Sequence, residues 1–571
     1  MTFIKQHRAA LVMAVLVGLC AVAPSLLAWT SAGTHYQGIQ YLPIDDEDIY
    51  RARIHEILDG HAAVSSPFLY EYKAASAAVT PVNEWLYALP ALLFGLSAVI
   101  VASKFILPAL LFLLVYSFVS QLLGSGARGT ALAAGLLVVL GSDFVDYQYL
   151  LSLLHGLPPR PLLWTRLVNP IIGGIELFGF LALLLVVHDD PKRRLVLVSA
   201  AALLSAAVGY FFSFALALAV LGVLFVFALV RREFDEAKGL FVVGALSVVF
   251  DAVWWYHSLT AFGGSSGVVA ALRNGMFFTH APVLNKALLA ATLIVVACFA
   301  YAHSRRLWRG YERAWIFIAA LLGGSWIAFN QQVITGREIW YQHFVQYTVP
   351  LCMIAVLAAA HMSVGRTFPR VYRGALALLA VVCLSYGAYS VMNYMSRMPG
   401  FAHSQEYAPL FAWLDEHASE GCVVLDAQFN EEMQRLIPAY TGCDVYETTV
   451  TFSGVPHERI VHNYLVRLGL NGVASADAER YINAHEEDVR TYFYSDWNQM
   501  FGHGAEPWIA ERAAQLAGGY QAFAAASLAE GIRKYRMDYL VAQEPLAPHL
   551  FEKLPSIHAV GKAGQFTIYA L

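Results

Sequence analysis

Residues 96–122 read LSAVIVASKFILPALLFLLVYSFVSQL, an apolar run interrupted by a single charge, Lys104. About 20 such residues in a helix cross the hydrocarbon core of a bilayer, and in lipid only a helix or a closed barrel satisfies its own backbone. The run therefore reads as a membrane span. Working outward from it, comparable stretches lie at 9–29, 129–145, 169–188, 194–209, 211–231, 239–256, 285–303, 314–330, 346–363 and 374–393. Those at 129–145 and 194–209 are short, and 194–231 also reads as one long broken segment.

Composition agrees. The 571 residues are 58% hydrophobic and 14% charged, with a mean hydropathy of +0.54. A soluble domain carries roughly 25% charge. A secreted enzyme and a disordered scaffold are thereby excluded. A net charge of −4 gives no basic footprint, so no nucleic-acid partner is expected. Short cytoplasmic loops are enriched in Lys and Arg. With Lys5 and Arg8 inside, the later inside loops hold Arg128, Lys192 to Arg194, Arg231 to Lys238, Arg305 to Arg313 and Arg366 to Arg373. Every basic cluster falls on one side of eleven crossings. The fold class is an α-helical polytopic membrane protein with a cytoplasmic N-terminus and its C-terminus outside. The first span reads as a retained helix rather than a cleaved leader, because a polar loop with working residues follows it. A bacterial or archaeal plasma (inner) membrane suits the chain.

After Tyr394 the charge content becomes ordinary. Segment 395–571 is expected to be an extracytoplasmic α/β domain behind a membrane domain over 1–394. Its helices are read at 404–418 and 429–438. Strands are read at Cys422 to Asp426, Asp444 to Tyr446, Tyr539 to Ala542 and Phe566 to Tyr569. Cys20, Cys298, Cys352 and Cys383 lie in apolar spans and read as small buried hydrophobes. Cys422 and Cys443 lie in the outer domain, where an oxidising compartment permits a disulfide. The chain has no CxxC, HExxH or Walker loop.

The longest polar interruption of the membrane half is the loop 30–95. It holds Asp45-Asp46-Glu47-Asp48, which opens a helix-like stretch running to Gly60. Acids at a helix N-terminus cap it and oppose its dipole, which accounts for one or two carboxylates but less well for four. Crowded carboxylates also raise one another's pKa towards the range of a base. Asp46-Glu47-x-x-Tyr50, ending at Gly60, resembles the Asp-Glu motif in the first outer loop of GT-C glycosyltransferases. That superfamily includes protein O-mannosyltransferases, aminoarabinose transferases and the oligosaccharyltransferase catalytic subunit. Lys73, Pro81 and Glu84-Trp85-Leu86-Tyr87 resemble the segment leading into the family's second helix, with the prolines displaced.

The resemblance implies a GT-C-like membrane domain and transfer of a sugar from a polyprenyl-phosphate donor to a glycan, lipid or protein acceptor. Asp46 is then the expected base, with Asp45 as substitute and Glu47 shaping the field. The cations expected to hold the donor phosphate are Arg337 and His343, in the polar stretch 330–347, together with Arg166, Lys73 and Lys104. One direct displacement implies inversion. If a metal takes part, Asp45, Asp46 and Asp48 are the expected ligands for Mg²⁺ or Mn²⁺. The rival readings are a lipid-linked glycan transporter or flippase, an O-antigen ligase or polymerase, and a non-catalytic assembly protein. No internal repeat supports the first, and the polar stretch 331–345 is small for the second.

Overall fold

The computed structural model describes residues 2–41, 43–44, 46–75, 77, 80–157, 160–189, 210–261, 276–449, 455–493 and 506–571. The expected span 194–209 and the candidate base Asp45 lie outside the described residues.

The chain opens with α1 (Thr2–Ala32). The first loop then folds into α2 (Glu47–Leu58) and α3 (Val82–Phe94). Helices α4 (Leu96–Leu123), α5 (Arg128–Leu140), α6 (Tyr147–Leu154), α7 (Ile171–Asp189), α8 (Phe211–Val230) and α9 (Phe234–Ala261) follow. A short ribbon pairs β1 (Met276–Phe278) antiparallel with β2 (Arg337–Ile339), enclosing α10 (Lys286–Ser304) and α11 (Glu312–Phe329). The membrane half ends with α12 (Tyr341–Ala360) and α13 (Pro369–Ser396). Each expected span other than 194–209 falls on one of these helices. Among the described residues, seven helices are long and apolar enough to cross a membrane, and α5 and α7 are shorter apolar helices. The protein is a multi-pass membrane protein of largely helical fold.

The C-terminal unit contributes α14 (Ala408–His417), β3 (Val423–Asp426), α15 (Glu431–Tyr440), β4 (Asp444–Val445) and α16 (His457–Leu470), then β5 (Tyr539–Ala542), β6 (His558–Ala563) and β7 (Phe566–Ala570). Its sheet runs β4-β3-β5-β7-β6, parallel across β4, β3 and β5 and antiparallel at β7 and β6. β3 is buried along its whole length, which is why its sequence is continuously apolar up to Asp426. Cys422 and Cys443, the residues just before β3 and β4, form a disulfide with Cα atoms 4.5 Å apart and tie the two strands together at their starts.

What positions the site is the first loop, held between the bundle and this sheet. Gly95, at φ +78, makes the sharp turn between α3 and α4. Helix α15 packs along α2, and long-range bonds join the two halves: Gln40 N–H donates to Tyr440 Oη at 2.9 Å, and Val445 N–H to the Phe68 carbonyl at 2.9 Å. We call the side of the bundle that bears this loop and the sheet the domain side.

Candidate functional site

The acidic run sits at the start of α2, where successive side chains project about 100° apart. Each of its described carboxylates meets a different cation, from a different part of the chain. Asp46 occupies the N-cap position but makes no capping bond. Its Oδ1 instead accepts from Arg166, at 2.7 Å from Nε and 2.5 Å from Nη2. Glu47 is buried, and its Oε2 accepts from Lys104 Nζ at 2.8 Å while Oε1 accepts from the Leu167 N–H at 3.0 Å. Asp48 faces Arg435 of α15 across 2.9 Å. Burial pushes the Asp48 carboxyl above its ordinary range, with Arg435 drawing it back down. Of these three pairs only Asp46–Arg166 is open to solvent on the carboxylate side, at 30% exposure against 3% for Glu47 and 9% for Asp48.

The segment carrying Arg166 is held firmly. Trp164 is fully buried and its indole N–H donates to the Val138 carbonyl at 2.7 Å. Tyr347 Oη donates to the Pro170 carbonyl at 3.1 Å. Two glycines open α7 to these rings: a Cβ on Gly173 would collide with Tyr347, and one on Gly174 would lie 2.6 Å from Trp164. Beyond Arg166 stands an aromatic wall. His343 Nδ1 and Tyr210 Oη are 2.9 Å apart, and the His343 ring lies against Phe212 and Trp340. Tyr210 and Trp164 both pack on Tyr347. Arg166, His343 and Asp46 thus belong to one neighbourhood.

The remaining expected phosphate ligands are placed differently. Lys104 is buried on α4 and engaged with Glu47. Lys73 is a junction residue: its Nζ donates to Glu56 and, at 2.7 Å, to Asp444 at the start of β4. Burial works against the Lys73 charge, but the two carboxylates outweigh it and raise its pKa. Arg337 is exposed on β2, with its guanidinium over the Phe278 ring. The glutamines beside it bind the turn itself, Gln331 Nε2 donating to the Arg337 carbonyl at 2.7 Å and Gln332 Nε2 to the Ala281 carbonyl at 3.1 Å.

A second polar group escaped the sequence reading. Tyr386 on α13 donates to Asp143 Oδ2 at 2.7 Å and lies 2.8 Å from Tyr149 Oη, which accepts from the Arg160 N–H. It ties the segment 142–160 to the last span. Its members are scattered singly in sequence and form no motif.

Asp46 and Asp48, the described members of the expected metal set, each hold a cation of their own. Among the described residues no three His, Cys, Asp or Glu side chains converge as metal ligands would.

No protein-family model and no curated protein sequence matches the chain. Among solved structures it is similar to an oligosaccharyltransferase of Archaeoglobus fulgidus tethered with an acceptor peptide containing the NVT sequon. That match is 14% identical, covers 95% of this chain and 70% of that one, and has a TM-score of 0.49. It is also similar to ArnT of Cupriavidus metallidurans bound to undecaprenyl phosphate, at 12% identity, 96% and 97% coverage and a TM-score of 0.46. The apo state of that protein matches at 13% identity, 96% coverage of each chain and the same TM-score.

Proposed function

We propose that the protein is a membrane glycosyltransferase that moves a sugar from a polyprenyl-phosphate donor to an acceptor on the domain side, with Asp46 as general base. The observation that carries this reading is the Asp46–Arg166 ion pair, whose carboxylate is 30% exposed while those of Glu47 and Asp48 beside it are 3% and 9% exposed. A base and a phosphate-binding cation are the two groups such a transfer requires, and here each keeps the other occupied at rest. An incoming phosphate competes for the Arg166 fork, whose geometry suits it. The Asp46 carboxylate is then released to take a proton.

In the reaction the acceptor oxygen bonds to the anomeric carbon as the bond from that carbon to the phosphate oxygen breaks. The acceptor proton passes to Asp46, and the electron pair leaves with the phosphate, whose growing charge Arg166 balances. His343 and Tyr210 frame the phosphate side, and Arg337, exposed on its ribbon, makes the first encounter with the donor headgroup. A single displacement of this kind inverts the anomeric centre. Glu47 with Lys104, and Lys73 with Glu56 and Asp444, hold the frame. No step is routed through a metal ion. The domain side is taken as extracytoplasmic and the N-terminus as cytoplasmic; the distribution of Lys and Arg and the Cys422–Cys443 disulfide support this.

The test uses purified protein in liposomes with radiolabelled polyprenyl-phosphate sugars and a crude acceptor extract. Asp46→Asn is expected to lower transfer by roughly 10²–10⁴-fold, the usual worth of a general base, with donor binding retained. Undiminished transfer by a double variant, Asp46→Asn with Asp45→Asn, would overturn the assignment. Donor crossing sealed vesicles without covalent transfer would instead favour a transporter.

A further inference from the structure

Arginines gather at the end of the bundle opposite the candidate site. Helices α10 and α12 both lead away from the β1–β2 ribbon, and the turns that follow them carry the charge. Arg305, Arg306, Arg309 and Arg313 lie between the end of α10 and the start of α11. Arg366, Arg370 and Arg373 lie between α12 and the first turn of α13. Each of these side chains is exposed. Residues 301–313 and 361–373 contain one acid, Glu312, whose Oε2 accepts from the Gly310 N–H at 2.8 Å.

The two turns form one surface. Arg366 Nη1 donates to the Leu307 carbonyl at 2.7 Å, and its guanidinium lies 5.4 Å over the Tyr311 ring. Tyr301 Oη donates to Thr367 Oγ1 at 3.4 Å. Beneath them the buried Thr130 of α5 holds His361 Nδ1 at 3.0 Å and Tyr372 Oη at 3.1 Å. Like charges fixed on such a frame repel, and an anion between them relieves the repulsion. The backbone also favours a use for the charge. Helix α10 closes with Arg306 at φ +58, the Leu307 N–H returning to the Ala302 carbonyl at 2.8 Å. Helix α8, which ends on the same side, closes with Arg232 at φ +62. Glycine is the rule at a left-handed cap because a Cβ strains it. Arginine twice in that place trades backbone comfort for a cation.

What the surface meets follows from its border. Val364, Phe368 and Val371 stand beside or between Arg366 and Arg373 in sequence and are 40%, 54% and 71% exposed. Leu378, at 64%, continues the apolar face along α13, a candidate span. A water-soluble anion would match the cations alone. An anionic phospholipid matches both features, its phosphate in the guanidinium forks and its chains along Phe368 and Val371.

We propose that this surface seats an anionic phospholipid of the leaflet opposite the domain side, held by its phosphate between the turns after α10 and α12. Such a seat stands whether or not the chain transfers a sugar.

The test titrates full-length protein in neutral detergent with phosphatidylglycerol and, separately, with phosphatidylcholine, counting bound lipid by native mass spectrometry. Wild type is expected to hold the anionic lipid about tenfold or more tightly than the neutral one. Each arginine at an anionic surface is worth roughly fivefold, so Arg306→Gly with Arg370→Gln should weaken phosphatidylglycerol binding about 25-fold. Arg480→Gln with Lys562→Gln, the same charge change on the C-terminal unit, should leave it unaltered. Glycine suits the left-handed cap, so Arg306→Gly alone is expected to melt no lower than wild type while losing roughly fivefold in lipid binding. That separates a lost ligand from a damaged fold. Equal binding of the two lipids by wild type, undiminished binding by the double variant, or displacement of the bound lipid by micromolar ATP overturns the proposal.

Discussion

At the residue scale, three adjacent acids have three different roles because they point three ways. The contiguity of the run made it legible in sequence. Its divergence was not, since the partners of Asp46 and Glu47 lie 120 and 57 residues away and that of Asp48 lies in the C-terminal unit. The distinction can be measured. Glu47→Gln strands Lys104 as a buried charge and should cost about 3–5 kcal/mol of stability, the toll of breaking a buried pair from one side. Adding Lys104→Met should recover most of the melting temperature in the same detergent. If Glu47 were instead a catalytic group, the single variant would melt like wild type and lose only activity. Arg166→Ala should behave oppositely to both: near-normal stability, since its pair is partly solvated, with a donor KM raised about tenfold or more, the loss expected for one charge-assisted contact.

Elements carry the site through close approach. Helix α7 begins with Gly173-Gly174 so that Tyr347 and Trp164 can reach its backbone. Gly174→Ala should cost about 1–3 kcal/mol by overpacking against Trp164 and displace the segment that aims Arg166. The expected result is reduced transfer with unchanged helix content by circular dichroism. Helix α15 acts on the other flank, through Arg435 to Asp48, Tyr440 to Gln40 and the Ala439 carbonyl, which accepts from Arg51 Nε at 3.0 Å. Arg435→Ala is expected to speed hydrogen exchange at the start of α2 while β3 stays protected. Most strands of the sheet were legible because their apolar runs are buried. β6 was missed: it is an edge strand, mostly exposed, with a bulge between Ala559 and Gly561, so its sequence shows no alternation. The amphipathic stretch 404–418 begins in structure as a 3₁₀ segment and becomes α14 only at Ala408, after the tyrosine that packs on Phe411 and Phe566.

For the whole molecule, the junction of loop and sheet is an acid-favouring contact. Burial pushes Asp444 up to about 7 despite Lys73, and away from the junction, at the end of β3, it pushes Asp426 up to about 6. A carboxyl whose folded pKa exceeds its unfolded value of 3.8 binds more protons when folded, so its contribution is whole below about 4 and fades as pH rises through 6 to 7. Amides of β3 and β4 should therefore exchange more slowly at pH 5 than at pH 8, beyond the intrinsic rate change, and Asp444→Asn should flatten part of that difference. The same junction imposes an order in time. Gln40 and Arg51, in the loop bearing Asp46, wait for partners 400 and 388 residues further on. The helix that presents Asp46 therefore takes its final posture only after α15 has been synthesised. A nascent chain already threaded into its membrane would have an unfinished first loop until the segment around Tyr440 has folded against it.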